Sequence, residues 1–458
     1  MIAAGLDVVR INFSHGDADT YLELADLVRS RAHVYGRQVG LLADLQGPKI
    51  RITRFKNGPI LLEENDQFVL DAQLDAGAGD KHTVGVDYKS LPIDVGRGDI
   101  LLLDDGRIVL QVDNVIEQQV ICRVVVGGEL SDHKGINRQG GGLSAPALTD
   151  KDKADIITAA KMQADYVAVS FPRSADDVLE AKRLLREAGG RGGVVAKIER
   201  AEALDVLDDI ILASDAVMVA RGDLGVEVGD AALPPIQKHV ILRARRLNRV
   251  AITATQMMES MIENAIPTRA EVFDVANAVL DGTDAVMLSA ETAVGKNPVK
   301  VIQAMHRICL QAEQQREIRV SKHRIDSKFE RMDEAIAMAA MYMANHLEVK
   351  VIAALTESGA TPLWMSRISS GIPIYALTRH VETERKVTLY RGVYPVSFTE
   401  DHCDHALLNK EVIAELQRLG VVCDDDIVII TKGDLEVKGS TNALKLIRVG
   451  DMVEPTVR

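Results

Sequence analysis

The chain of 458 residues carries 54 Lys and Arg against 67 Asp and Glu, a net charge of −13, with 47% hydrophobic and 3% aromatic residues. That length exceeds one ordinary core and implies two or three domains, while the acidic balance argues against a nucleic-acid partner. Four cysteines (Cys122, Cys309, Cys403 and Cys423) stand far apart with no C-x-x-C pair, so neither a disulfide framework nor a zinc site is expected, and a reducing cytoplasm fits.

The opening stretch, Met1 to Val9, is apolar but runs straight into Arg10-Ile-Asn and lacks the charged start and cleavage site of a signal peptide. Leu6–Asn12 and Val39–Ala43 read as buried strands. Residues from about Lys49 to Ala147 differ: Asn57-Gly58 and Asp105-Gly106 mark turns between alternating runs such as Ile100–Leu103, Ile108–Val112 and Val120–Val126. That pattern predicts a small all-β insert. Buried strands then resume at Tyr166–Phe171, Val194–Glu199, Ala216–Arg221, Val250–Thr255 and Ala285–Ser289. Helical patterns lie between them at Thr149–Gln163, Ala175–Glu187 and Pro235–Arg246, the rhythm of a parallel α/β sheet or barrel. Thr268-x-x-Glu271 reads as a capping box opening a helix that Asp281-Gly282 closes. Beyond about Ser321 a third, α/β unit begins, with a helix at Met332–His346 and strands at Val349–Leu355, Ile374–Leu377 and Asp426–Thr431. Its most apolar helical run, Ala335–Ala344, is about half of what a bilayer span needs, so no membrane role is expected.

Chemistry-bearing residues gather at strand ends, where a parallel barrel places its active site. In Val195-Ala-Lys197-Ile-Glu199, Lys197 and Glu199 are two apart on a strand and share a face. Such a pair can stabilise developing negative charge and bind a metal, or it can be a structural ion pair. Arg221-Gly222-Asp223-Leu-Gly225 puts a carboxylate just past the next strand. Asp223 with Glu199 would suit Mg²⁺, which takes one or two carboxylates plus substrate oxygens; an ordinary loop is the alternative. Thr255 ends a further strand and offers either a substrate contact or a helix cap. Arg10 and Arg51 suit phosphate oxygens, and Asn12, Ser14 and Asp44 are hard oxygen ligands for a cation. Arg10, Asn12 and Ser14 share one side if the first strand continues that far.

These stretches together resemble pyruvate kinase: NFSHG, DLQGPKIR, GGGLSAPALTDKDKAD, AVSFPR, KIER, ARGDLGVE, ITATQMMESM, PTRAEVFDVANAVLDGTDAVMLSAETAVGK and TESG. The resemblance covers essentially the whole chain and is nearest to the bacterial type activated by AMP or a sugar monophosphate. It implies a (β/α)₈ TIM barrel lacking its first strand (1–48 and 148–320), an inserted small β-barrel lid (49–147) and a C-terminal α/β effector domain (321–458). It also implies a glycolytic, cytoplasmic enzyme that moves phosphate from phosphoenolpyruvate to ADP, giving pyruvate and ATP, as a homotetramer.

By the same resemblance, Arg10 and Lys197 contact the transferring phosphoryl group, and Lys197 stabilises the enolate. Glu199 and Asp223 hold Mg²⁺ or Mn²⁺. Gly222, Asp223 and Thr255 hold the substrate carboxylate, with Thr255 near the proton path. Asn12, His15, Arg51 and Lys134 surround the nucleotide. Many members bind K⁺ with groups matching Asn12, Ser14 and Asp44 and carry Glu where Lys49 stands. Lys49, with Leu45, Gln46 and Ile52, resembles the potassium-independent subgroup, a tethered ammonium replacing the cation; the alternative is a surface lysine. Thr356, Ser358, Gly359 and Thr361 form either a phosphate cradle for the effector or a polar turn with a helix cap.

The family's opening strand and Thr-Leu-Gly-Pro turn have no counterpart here, and Met1–Gly5 resembles the end of its first helix. An open parallel edge on Leu6–Asn12 is therefore expected, from a truncated or misassigned start that puts this chain's own activity in question. Two rivals remain: a lyase-type barrel of phosphoenolpyruvate or pyruvate chemistry, and a catalytically silent binding protein of the same descent.

Overall fold

The computed structural model describes residues 1–315, 328–368, 370–399, 405–433 and 441–451. Cys403 and the expected junction near residue 320 lie outside the described residues. Seven parallel strands form the central sheet in chain order: β1 (Val8–Asn12), β2 (Gly40–Asp44), β3 (Tyr166–Val169), β4 (Gly193–Ile198), β5 (Ala216–Ala220), β6 (Val250–Ala254) and β7 (Ala285–Val286). Among the described residues β1 is an edge strand whose ladder runs to β2, from Val8 opposite Gly40 to Asn12 opposite Asp44. All of β2, β5 and β6 is buried, as strands covered on both faces require.

Alternate residues of these strands serve two cores. Leu41, Ala43, Val167, Val169, Val194, Ala196 and Val217 pack with helical residues such as Val178, Ala181 and Val240. Leu42, Tyr166, Ala168, Val195 and Met218 face the other way and join a cluster that continues into the C-terminal unit through Val387 and Tyr390. The helix at Arg269–Asp281 opens on a capping box between Thr268 and Glu271 and closes on Gly282 in the left-handed conformation.

Several expected strand limits need correction, among them those of β7 and β1. β7 stops at Val286 rather than Ser289, because Glu291 recruits the next segment. Its carboxylate accepts the Ser289 N–H at 2.6 Å and the Met258 N–H at 3.2 Å and turns the chain into a short helix, Ala290–Ala293. β1 ends at Asn12, whose Oδ1 accepts the Ser14 N–H at 3.1 Å, so Ser14 lies in a turn rather than on the strand.

The insert is a six-stranded sheet with a two-stranded ribbon, Ile60–Leu62 against Gly128–Leu130, around a core that includes Phe68, Leu70, Leu101, Leu103, Leu110 and Cys122. It is not purely β: Pro92, pre-set for a first helical turn, opens one turn at Leu91–Asp94. The C-terminal unit holds a five-stranded sheet in the order Val393–Ser397, Ile374–Thr378, Val349–Leu355, Ile427–Lys432 and Ala443–Arg448, the last strand antiparallel. Among the described residues, no helix is long and apolar enough to cross a membrane.

The strand entrances share a device. Asp165, Asp215 and Asp284 immediately precede β3, β5 and β7, and each accepts the N–H of the second residue of the neighbouring strand, from Leu41, Val194 and Ala251 at 2.8–2.9 Å. Each also meets a cation, Arg385, Lys182 and Arg367 respectively. Arg385 and Arg367 come from the C-terminal unit, which thereby docks on the floor of the sheet, away from the strand ends that carry the chemistry.

Candidate active site

At the C-terminal strand ends, side chains of opposite charge alternate around one centre. Lys197 near the end of β4 meets Glu199 at 2.9 Å, Asp44 of β2 at 3.3 Å and the Ser170 hydroxyl at 2.7 Å. Arg10 of β1 donates to the other Asp44 oxygen at 2.5 Å. Lys49 reaches across to Asp223 at 3.1 Å. Asp44 and Glu199 are 1% and 2% exposed, so these are charges in a low-dielectric setting and not a solvated rim.

Burial works against the Lys197 ammonium, but Asp44 and Glu199 outweigh it and raise its pKa above the ordinary lysine value. Lys197 is thereby held as a cation, unsuited to act as a base near neutral pH. Burial raises the Glu199 carboxyl, Lys197 opposes, and the charges of Asp223 and Asp44 add to the rise. A hard divalent cation would relieve that excess, and Glu199 with Asp223 fits Mg²⁺, which completes its shell with water and substrate oxygens. Among the described residues no cluster of three or more His, Cys, Asp or Glu that could hold a metal forms. Asp44 Oδ1 meets Lys197 without hydrogen-bond geometry and is buried, an acceptor that a cation at the site would satisfy.

Past β5 the chain enters a helix, Arg221–Val228, that carries Gly222 and Asp223 in its first turn. Thr255 is not a helix cap. Its hydroxyl accepts the Gly222 N–H at 2.8 Å, and Thr255 and Gln256 hold φ of +67° and +52°. Such backbone is costly for non-glycine residues and needs support. Arg221 supplies it, donating to the Ala254, Thr255 and Gln256 carbonyls and to Asp274.

The structure thus brings Arg10, Asp44, Lys49, Lys197, Glu199, Asp223, Gly222 and Thr255 into one neighbourhood. The nucleotide-side residues are less gathered. His15 is exposed in the turn after β1, Lys134 pairs with Asp104 inside the insert at 2.7 Å, and Arg51 donates to the His133 carbonyl at 2.9 Å. In the C-terminal unit, Thr356 Oγ1 accepts the Gly359 N–H at 2.9 Å, and the buried Thr361 hydroxyl is engaged with that of Thr441 at 2.6 Å. Ser170 and Arg221 escaped the sequence reading. Their signal was local: Ser170 follows a buried strand in AVSFPR, and Arg221 adjoins the Gly222-Asp223 pair.

Glu227, near the end of the same helix, is pushed up to about 7 by burial, with the nearby Glu202 charge adding to the rise. A raised carboxyl contributes stability that is present below the ordinary carboxylate range and lost as pH climbs from about 4.5 to about 7. Glu227→Gln, neutral throughout, should melt close to the parent protein at acidic pH and above it at mildly alkaline pH. Parallel melting curves with no pH-dependent gap between the two proteins would contradict this.

Comparison with known proteins agrees with this geometry. The description "Pyruvate kinase, barrel domain" matches residues 1–302, and "Pyruvate kinase, alpha/beta domain" matches residues 334–447. Pyruvate kinase II of Salmonella typhimurium is 57% identical over 98% of this chain and 94% of its own length. Pyruvate kinases of Haemophilus influenzae and Mycobacterium tuberculosis (strain H37Rv) are 55% and 40% identical, over 94% and 98% of this chain and 91% and 94% of their own lengths. With its charged cluster at the ends of parallel strands and both family regions in order, the chain belongs to the pyruvate kinase family of phosphate-transferring enzymes.

Proposed function

We propose that this chain transfers phosphate from phosphoenolpyruvate to ADP at the Lys197 cluster, and that it does so without K⁺. The observation that carries the reading is the clamp on Lys197, an ammonium kept charged between Asp44 and Glu199 and steered by Ser170. Phosphoryl transfer needs alignment and charge neutralisation more than covalent help. Arg10 and Lys197 bind the phosphoryl oxygens, and Lys197 then holds the enolate oxygen left behind. Glu199 and Asp223 would hold Mg²⁺, which when bound would add to the neutralisation of the substrate's charge. The Gly222 N–H and the Thr255 hydroxyl, already bonded to each other, orient the substrate carboxylate and lie on the side from which the enolate carbon takes its proton. Asn12, His15, Arg51 and Lys134 bind the nucleotide as the insert approaches the barrel. A coupled assay of pyruvate formation with and without ADP and Mg²⁺ tests the reading, and turnover that ignores ADP would favour the lyase-type rival.

The potassium reading rests on Lys49, whose ammonium lies 3.1 Å from Asp223 within the charged cluster. A tethered cation there performs the neutralisation otherwise left to a monovalent ion. The parent enzyme should run equally in Na⁺ and K⁺ buffers. Lys49→Glu should lose about tenfold in kcat in Na⁺ and regain most of it in K⁺. A parent rate that climbs severalfold on replacing Na⁺ by K⁺ would end this reading.

We assign the effector, AMP or a sugar monophosphate, to the loop at Thr356, Ser358 and Gly359, with Thr361 behind it. Gly359, at φ +81°, and the helix that follows it turn backbone N–H groups toward the loop. Melting-temperature shifts with AMP, ribose 5-phosphate and fructose 1,6-bisphosphate distinguish the ligands, and the absence of any shift counts against the site. The domain limits at 48/49, 147/148 and 320/321, the homotetramer and the cytoplasmic location belong to the same proposal.

A further inference from the structure

Three glycines follow one another late in the insert, between its last strand, Ile136–Arg138, and the core residues Leu143 and Ala145. Gly140, Gly141 and Gly142 hold φ of +81°, +80° and +90°, a run that side chains rarely tolerate and that leaves the backbone few intrinsic restraints. Two barrel glutamates hold this run, Glu202 through its carboxylate and Glu227 through its backbone carbonyl. Glu202 Oε2, in the loop after β4, accepts the Gly142 N–H at 3.1 Å. Glu227 takes the Ala201 N–H at 2.9 Å with one oxygen and faces the Asn137 amide of the insert at 3.4 Å with the other. The Glu227 carbonyl accepts the Gly140 N–H at 3.0 Å. Arg200, stacked over Phe171 and close to Glu202, donates to the Leu143 carbonyl at 2.7 Å just past the glycines.

These contacts have a direction. Glu202 follows Glu199 on the β4 loop, and Glu227 ends the helix whose first turn bears Asp223. The elements that carry the two proposed metal ligands therefore also grip the insert, which carries Lys134 and Arg51, at its glycine run. We infer that Glu202 and Glu227 are positioning residues: they latch the triple-glycine run and set the resting angle of the insert over the strand ends. The latch acts through backbone N–H groups, so it fixes the insert without fixing any side chain that meets a substrate. Gly141 has no room for more, since a Cβ there would overlap Glu202 Oε2.

The kinetic part of this inference rests on the kinase reading above; the latch itself does not. Hydrogen exchange on the full chain reads the latch directly. Glu202→Ala should speed exchange at Gly140–Gly142 by about tenfold, the loss expected for one charge-assisted hydrogen bond. Glu202→Gln, which keeps an acceptor oxygen, should restore most of the protection. Gly141→Ala should act like Glu202→Ala by displacing the carboxylate. In turnover, Glu202→Ala should raise KM for ADP by up to the same factor while kcat stays within about twofold, because a loosened insert is less often in place to bind. Unchanged exchange in Glu202→Ala, or faster exchange with an unchanged KM for ADP, overturns the positioning role. Loss of protection across β2 to β6 overturns it in favour of a structural role. A parent enzyme that forms no pyruvate defeats the kinase reading and leaves the exchange result to decide the latch.

Discussion

Lys197→Met should lower kcat by roughly a thousandfold or more, the loss that follows removal of a charge aimed at a developing anion in a water-poor site. The side chain is 12% exposed and is held by Asp44, Glu199 and Ser170, so it is pre-aligned before any substrate arrives. Met fills a similar volume and removes only the charge. Arg10 remains on Asp44, but nothing replaces the cation between Asp44 and Glu199. Two buried carboxylates then face each other with less counter-charge, and stability should fall by about 3 kcal/mol. Lys197→Arg keeps the charge in a planar fork that does not match a point contact to three partners, and should fall between the two. The coupled assay at saturating phosphoenolpyruvate and ADP, with circular dichroism to confirm folding, measures this. A folded Lys197→Met enzyme retaining more than about a tenth of parental kcat would remove Lys197 from the mechanism.

How far the chain could be read in advance follows from the range of the interactions involved. Helix Ala175–Glu187, helix Met332–His346 and strand Val349–Leu355 match their expected limits to the residue, because apolar period and caps are local signals. The sheet order along the chain was equally legible, since buried strands alternating with helices leave few topologies. Where a side chain from elsewhere decides, local pattern fails. Glu291 cut β7 short, and the Asn12 side chain ended β1 before Ser14. In the site, Lys197 lies on β4 and Glu199 just past its end, two residues on, so their pairing was visible from spacing alone. Lys49 with Asp223 and Arg10 with Asp44 join residues 174 and 34 positions apart, and no window of sequence contains both partners. The backbone of Thr255 and Gln256 is imposed by Arg221 and has no signature in the residues that adopt it.

A second large effect is expected far from the chemistry. Arg367 and Asp284 are each 1% exposed at the side chain and pair directly, Arg367 from the C-terminal unit and Asp284 from the entrance to β7. Around them, Arg367 donates to the Arg249 carbonyl at 2.6 Å, while Asp284 accepts the Ala251 N–H at 2.9 Å and the Arg391 N–H at 3.2 Å. Arg245 donates to the Arg367 carbonyl, and its own pKa is pushed down to about 10 by burial, with the Arg367 charge adding. Removing one member therefore strands a buried charge, whereas removing both does not. Arg367→Met should cost about 3–5 kcal/mol in chemical denaturation, and Asp284→Asn a comparable amount. The double variant should cost clearly less than the two single losses combined, because the desolvation penalty of each ion disappears with its partner. Strictly additive losses would show that the pair is no unit and that the docking of the C-terminal unit rests on its other contacts. Because the pair lies at the floor of the sheet, the folded fraction of Arg367→Met should keep parental KM for phosphoenolpyruvate. A changed KM in folded protein would mean that the floor and the Lys197 cluster are coupled through the strands.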